Sequence, residues 1–235
     1  MEMKHRQKHI SLRCSNQGFT MIELMVAMVV SLLAMAAIYS TFLAQHRSYQ
    51  VQEETADMQQ NIRAAMYYMQ REIRMAGSNP FNSLPFSSFG ITAAGPTSIT
   101  FTEDINGGAS GTPPDGVITA NETISYTFAD SDADGFNDSL ARNGQTVAQN
   151  IDAVDFVYLD GASPPNAIPF PVANLSQIRS VEITIVARTN DPLLYGGTNN
   201  NVYRNQQNTP IFGPAGDSVS RRTLTTQIYC RNLDL

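Results

Sequence analysis

The sequence predicts an α+β protein: one long amino-terminal helix, membrane-spanning in its first half, packed through its second half on a carboxyl-terminal antiparallel β-sheet body. Three observations predict it. An apolar run extends from Phe19 to Ala44 with Glu23 as its one charge. An apolar stripe at helical spacing then continues to Ala76. After Gly77 the chain turns into short alternating segments parted by Gly- and Pro-rich stretches.

The helix is read from its first half. Twenty-six residues at about 1.5 Å each give about 39 Å of helix, enough to cross a bilayer core. Residues 1–18, MEMKHRQKHISLRCSNQG, are basic and polar. Basic residues before the apolar run and none just after it orient the amino end to the cytoplasm. A cleaved signal peptide and a plain signal anchor compete with this reading, because Ala34-Met35-Ala36 mimics a small-x-small cleavage site. Neither explains Glu23, since a carboxylate near the start of a membrane helix is costly and needs a partner.

Beyond the apolar run, Met58, Ile62, Ala65, Met69, Ile73 and Ala76 fall three or four residues apart and form one stripe. Glu53, Glu54, Asp57, Gln60, Arg63 and Arg71 take the opposite face. Gly77 supplies a C-terminal cap and Pro80 prevents continuation. The stripe is expected to pack on a sheet. His46, just past the apolar run, reads as a solvated interfacial residue.

The body is expected to hold strands at Ser98–Thr102, Glu122–Phe128, Ser139–Arg142, Ala153–Leu159, Val181–Arg188 and Thr223–Cys230. Val154, Phe156 and Tyr158 alternate, as do Val181, Ile183 and Ile185, which gives each sheet one face for the helix. Residues 78–98 read as a loop or short edge elements, and 105–116, 160–174 and 190–217 as loops. The boundaries are then a leader at 1–18, a membrane half of the helix at 19–45, an amphipathic half at 46–77 and a β-rich body at 78–235.

One loop carries candidate chemistry. Asp130, Asp132 and Asp134 alternate before Gly135, with Phe136 offering a carbonyl and Asp138 a further ligand. This is the opening of a calcium loop. The twelfth position is Ala141 rather than Glu, so the usual bidentate ligand is missing. Calcium and a bare solvated hairpin tip both fit. Asp152, Asp155 and Asp160 read as surface charges, and Cys230 as a buried thiol.

Composition excludes several classes. The chain has 235 residues and a net charge of −6. Four of its 15 Lys and Arg and one of its 21 acids lie in residues 1–18, so the remainder carries −9. An acidic chain argues against nucleic acid as a partner. Both lysines, Lys4 and Lys8, lie in that leader, as do His5, His9 and Cys14. Without it, no lysine remains for a Schiff base, and His46 and Cys230 are too few for a zinc site. No catalytic residues are assigned, and the protein is not expected to be an enzyme.

Gly18-Phe19-Thr20-Met21-Ile22-Glu23 resembles the processing site of type IV prepilins. The resemblance implies a pilin-like fold and cleavage by a prepilin peptidase between Gly18 and Phe19. It also implies N-methylation of Phe19, with Glu23 at the fifth mature position as the assembly residue. Glu23 would meet the Phe19 amine of a neighbouring subunit in low dielectric, which offsets two desolvation costs. Glu53–Gly77, the segment LARNGQ and the ending RRTLTTQIYCRNL resemble PilW-type minor pilins and the related J-type pseudopilins of type II secretion. The implied partners are the peptidase, other minor pilins, the major pilin, the inner-membrane assembly platform and membrane lipid. The implied location is the inner membrane, with a periplasmic body, and then the pilus. A J-type pseudopilin and a membrane-anchored calcium-binding or adhesive module stand as alternatives.

Overall fold

The computed structural model describes residues 18–80, 89–107, 112–192 and 197–233. The predicted leader lies outside them except for Gly18. One helix, α1 (Met21–Met75, 55 residues), starts two residues after the predicted first residue and ends one before the predicted last. The chain divides into two compact units, one through Tyr49 and one from Gln50 onward.

In the first unit no described residue of the apolar helix is buried. Its most apolar 18-residue window contains no buried residue. Ile22, Leu33 and Ile38 are each at least two-thirds exposed. Such a surface is stable in lipid or against other helices and costly in water. His46 is exposed and stacks on Phe42 at 6.2 Å between ring centroids.

The second unit holds the core. All six residues of the predicted stripe are buried, and Met66 joins them. They share one apolar cluster with Ile99, Phe101, Ile124 and Leu140 from one sheet and Phe156, Ile183 and Ile185 from another. Gly77 ends the helix at φ +82°, and its N–H donates to the Thr102 carbonyl at 2.9 Å. A Cβ there would come within 2.8 Å of Leu233, so the site needs glycine for conformation and for space.

The first sheet is an antiparallel meander of β1 (Gly90–Ala94), β2 (Ser98–Thr102), β3 (Thr123–Ala129), β4 (Ser139–Arg142) and β5 (Gln145–Ala148), in that order. β1 falls in the stretch read as loop or edge, and β5 was not expected. Asn143 and Gly144, at φ +48° and +78°, make the two-residue turn between β4 and β5. Asn-Gly is the dipeptide such hairpins favour, because both positions need positive φ.

The second sheet places β7 (Ser180–Arg188) between β6 (Ile151–Leu159) and β10 (Arg221–Tyr229), all antiparallel. Its three strands match the last three predicted ones within two residues. The region read as the loop 190–217 contains a small hairpin, β8 (Tyr203–Arg204) with β9 (Pro210–Phe212). That hairpin covers the outer face of the second sheet. Gln207 donates to Glu182 at 3.2 Å and Asn205 to Asp155 at 2.9 Å. β7 is therefore buried on both faces, and Glu182 and Thr184 are buried with Ile183 and Ile185.

Two polar joints fix this unit. Glu72 on α1 accepts the Tyr126 hydroxyl at 2.5 Å and Arg142 Nε at 2.9 Å, which ties the helix to β3 and β4. Arg221 on β10, buried and stacked on Phe212, pairs with Asp152 and with Asp217. Asp152 is thus an ion-pair partner with only 8% of its side chain exposed, not the surface charge expected from its position on a strand. Its counter-charges come from Arg188 and Arg221, far along the sequence.

Glu103 lies near the Glu72 joint and is 4% exposed. Burial, and then the Glu72 charge, push its carboxyl up to about 7. The unfolded chain loses this proton near its ordinary 4.5, so between about 4.5 and about 7 the folded state binds more protons and rising pH destabilises it. The thermal midpoint of detergent-solubilised protein is expected to fall across this window, and Glu103→Gln to remove that part of the slope. Equal slopes in the two proteins would contradict the assignment. Arg221→Ala, which leaves the buried Asp152 carboxylate with Arg188 alone and removes the Asp217 pair, is expected to cost about 3 kcal/mol in chemical denaturation; a loss below about 1 kcal/mol would show the pairs to be surface-like.

Candidate functional site

The residues that carry the processing and assembly expectations sit at the first turn of α1. Gly18 and Phe19 precede the helix, and Phe19 is 89% exposed. Thr20 is the N-cap. Its N–H and its hydroxyl both donate to Glu23 Oε2 at 2.8 Å, and the Glu23 N–H donates back to Thr20 Oγ1 at 3.3 Å. This is a reciprocal capping box, which satisfies helix N–H groups that would otherwise lack acceptors. Its sequence signature, Thr-x-x-Glu at Thr20–Glu23, is legible but was passed over in favour of an amine partner. The box occupies Oε2 and leaves Oε1 without a hydrogen bond among the described residues. The carboxylate also lies at the positive end of the helix dipole.

The Gly18–Phe19 peptide bond lies before the first helical residue, with the Phe19 side chain exposed beside it. Once that bond is cut, an ammonium at Phe19 would lie about one helical turn from Glu23.

The acidic loop sits at the tip between β3 and β4. Asp130, Asp132 and Asp134 each bring a carboxylate oxygen within 4.8 Å of the others. Asp138 does not join them. Its carboxylate accepts the Ser131 N–H and hydroxyl, both at 3.0 Å. Asp130 accepts backbone N–H groups from Gly135 (2.8 Å), Ala133 (2.7 Å) and Asp132 (3.2 Å). These contacts, Gly135 first, hold its carboxyl below the usual range. Phe136 is 75% exposed, and Ala141, at the position of the absent bidentate ligand, is buried in β4. The tip is a set of Asx turns that satisfies its own backbone. Of the four predicted carboxylate ligands, the structure brings together three.

Comparison with known proteins bears on the first site. The family model described as "Prokaryotic N-terminal methylation motif" matches residues 13–39. No curated protein matches the chain. Among solved structures, a type IV-like pilin from Thermus thermophilus is similar at 10% identity, over 75% of this chain and 98% of that one, with a TM-score of 0.44. The chain therefore carries the prokaryotic N-terminal methylation motif at the amino end of an exposed apolar helix.

Proposed function

We propose that this chain is a minor pilin precursor of the PilW type, a non-enzymatic structural subunit of a type IV pilus priming or tip complex. The observation that carries the reading is the methylation motif at 13–39, which contains Gly18, Phe19 and Glu23 at the spacing prepilins use. The exposed apolar first half of α1 supports it, because that surface needs lipid or other helices. The PilW assignment rests on the resemblance of Glu53–Gly77 and of the β4 and β10 segments.

In this reading a prepilin peptidase cuts after Gly18 and methylates the Phe19 nitrogen. Before cleavage the Thr20 box holds Glu23 Oε2. After cleavage the free Oε1 faces an interface where the amine of a neighbouring subunit can reach it. Pairing between subunits neutralises both charges in lipid and sets the axial register of adjoining helices. The subunit then waits in the inner membrane, amino end cytoplasmic and body periplasmic, until other minor pilins, the major pilin and the assembly platform draw it into a filament.

The test separates insertion from assembly. Glu23→Ala is expected to reach the inner membrane in normal amount and to be lost from sheared pili, with Glu23→Gln equally deficient because the charge is what the amine meets. Normal incorporation of both variants would remove the assembly role of Glu23.

A further inference from the structure

The second sheet ends in an edge of unusual regularity. β10 pairs with β7 through nine consecutive residues with no shift of register. At its two ends the Thr189 N–H donates to the Ser220 carbonyl at 2.9 Å and the Cys230 N–H to the Arg179 carbonyl at 3.0 Å. Hydrogen-bonded and non-bonded pairs alternate in an antiparallel ladder. The even-numbered residues of β10 therefore turn their amides and carbonyls toward β7. Arg221, Thr223, Thr225, Gln227 and Tyr229 turn theirs away, toward the open side of the sheet. Among the described residues no strand takes that side. Thr223, Gln227 and Tyr229 are exposed.

The other edges of these two sheets are short or covered. β5 has four residues, and β1 has five and a register shift. The free side of β6 is occupied: the Ile151 N–H bonds to Asp138, the Phe156 N–H to Pro96, and Leu159 bridges to Ala167. Proteins blunt long edges with proline, bulges or central charges, because an open edge templates a further strand. β10 has none of these, and its arginines stand together at one end.

That asymmetry identifies the occupant. We propose that β10 pairs antiparallel with β10 of a second copy of this chain about a two-fold axis at Thr225, joining two three-stranded sheets into one. The outward-turned residues then match each other. Thr225 meets Thr225 of the second copy, Thr223 meets Gln227, and Arg221 meets Tyr229. The two arginine pairs lie at opposite ends, so no like charges oppose. A parallel arrangement would set arginine against arginine. This interface is independent of the Phe19–Glu23 reading, and its test uses neither residue.

The experiment uses full-length protein in native membranes and in detergent, with Cys14→Ser removing the leader thiol. Paired Cα atoms about 5.5 Å apart lie within disulfide reach. Thr225→Cys is expected to form a disulfide-linked dimer on mild oxidation. Thr223→Cys or Gln227→Cys alone is expected to stay monomeric, and the two together to cross-link. Thr225→Pro removes an outward N–H and the hydroxyl that meets Thr184 at 3.1 Å but no ladder bond to β7, so it is expected to keep the fold and lose the dimer. Thr225→Lys, which places like charges across the axis, is expected to do the same should proline disturb the strand. Equal cross-linking at 223, 225 and 227, a dimer that survives both Thr225 variants, or a disulfide from Thr225→Cys to a different protein would each overturn the proposal.

Discussion

A carboxylate at the mouth of a lipid-length helix is the constraint on which the rest depends. Among the described residues the apolar first half of α1 is exposed, a surface that is stable in lipid or against other helices. Glu23 would be ruinous there unless its charge were met. Thr20 meets half of the need from within the chain through Oε2. That contact also caps the helix, so in the proposed assembly Glu23 would already be ordered before it meets a partner. Preorganisation of this kind lowers the entropic cost of a new pairing. Under the proposed function, Oε1, without a hydrogen bond among the described residues, is the part of the group that would act between subunits.

The body imposes the opposite condition. Under the proposed function it would have to remain one rigid unit while its anchor changed surroundings. Apolar packing of the amphipathic half of α1 on two sheets supplies most of this, and the polar joints make it specific. Glu72 fixes the rotation of the helix on the meander by binding Tyr126 and Arg142 together. Arg221 holds β10, β6 and the segment after β9 at one point. Glu122, fully buried, accepts four hydrogen bonds from Thr119, Ile105 and Asn106 and so braces the loop that follows β2. Removing the donors around the buried Glu122 would leave its carboxylate short of partners, which is costlier than the bonds are favourable.

How much of this was legible in the sequence follows from the range of each interaction. The stripe from Met58 to Ala76 announced the packed half of the helix, because helical period is a local property. The alternating runs at 153–159 and 181–188 announced their strands for the same reason. β5 was missed although Asn143-Gly144 marks its hairpin, and the Thr20 cap was missed although its box is plain. Both errors came from reading past a short signal. The Asp152–Arg221 pair lay beyond reach for a different cause: its partners are 69 residues apart and meet only once the sheet forms. The burial of Glu182 was hidden likewise, since it depends on a hairpin folding back over a strand. At the acidic tip the spacing foretold three converging carboxylates, but not that Ser131 would take Asp138.

The account's central claim is that this chain is processed so that a new amine stands beside Glu23. Intact mass and amino-terminal peptide analysis of protein isolated from its native membrane tests it most directly. The account predicts a chain that starts at Phe19 and carries one methyl group on its terminal nitrogen. A chain that still starts at Met1, or one cut within the apolar run, would contradict it.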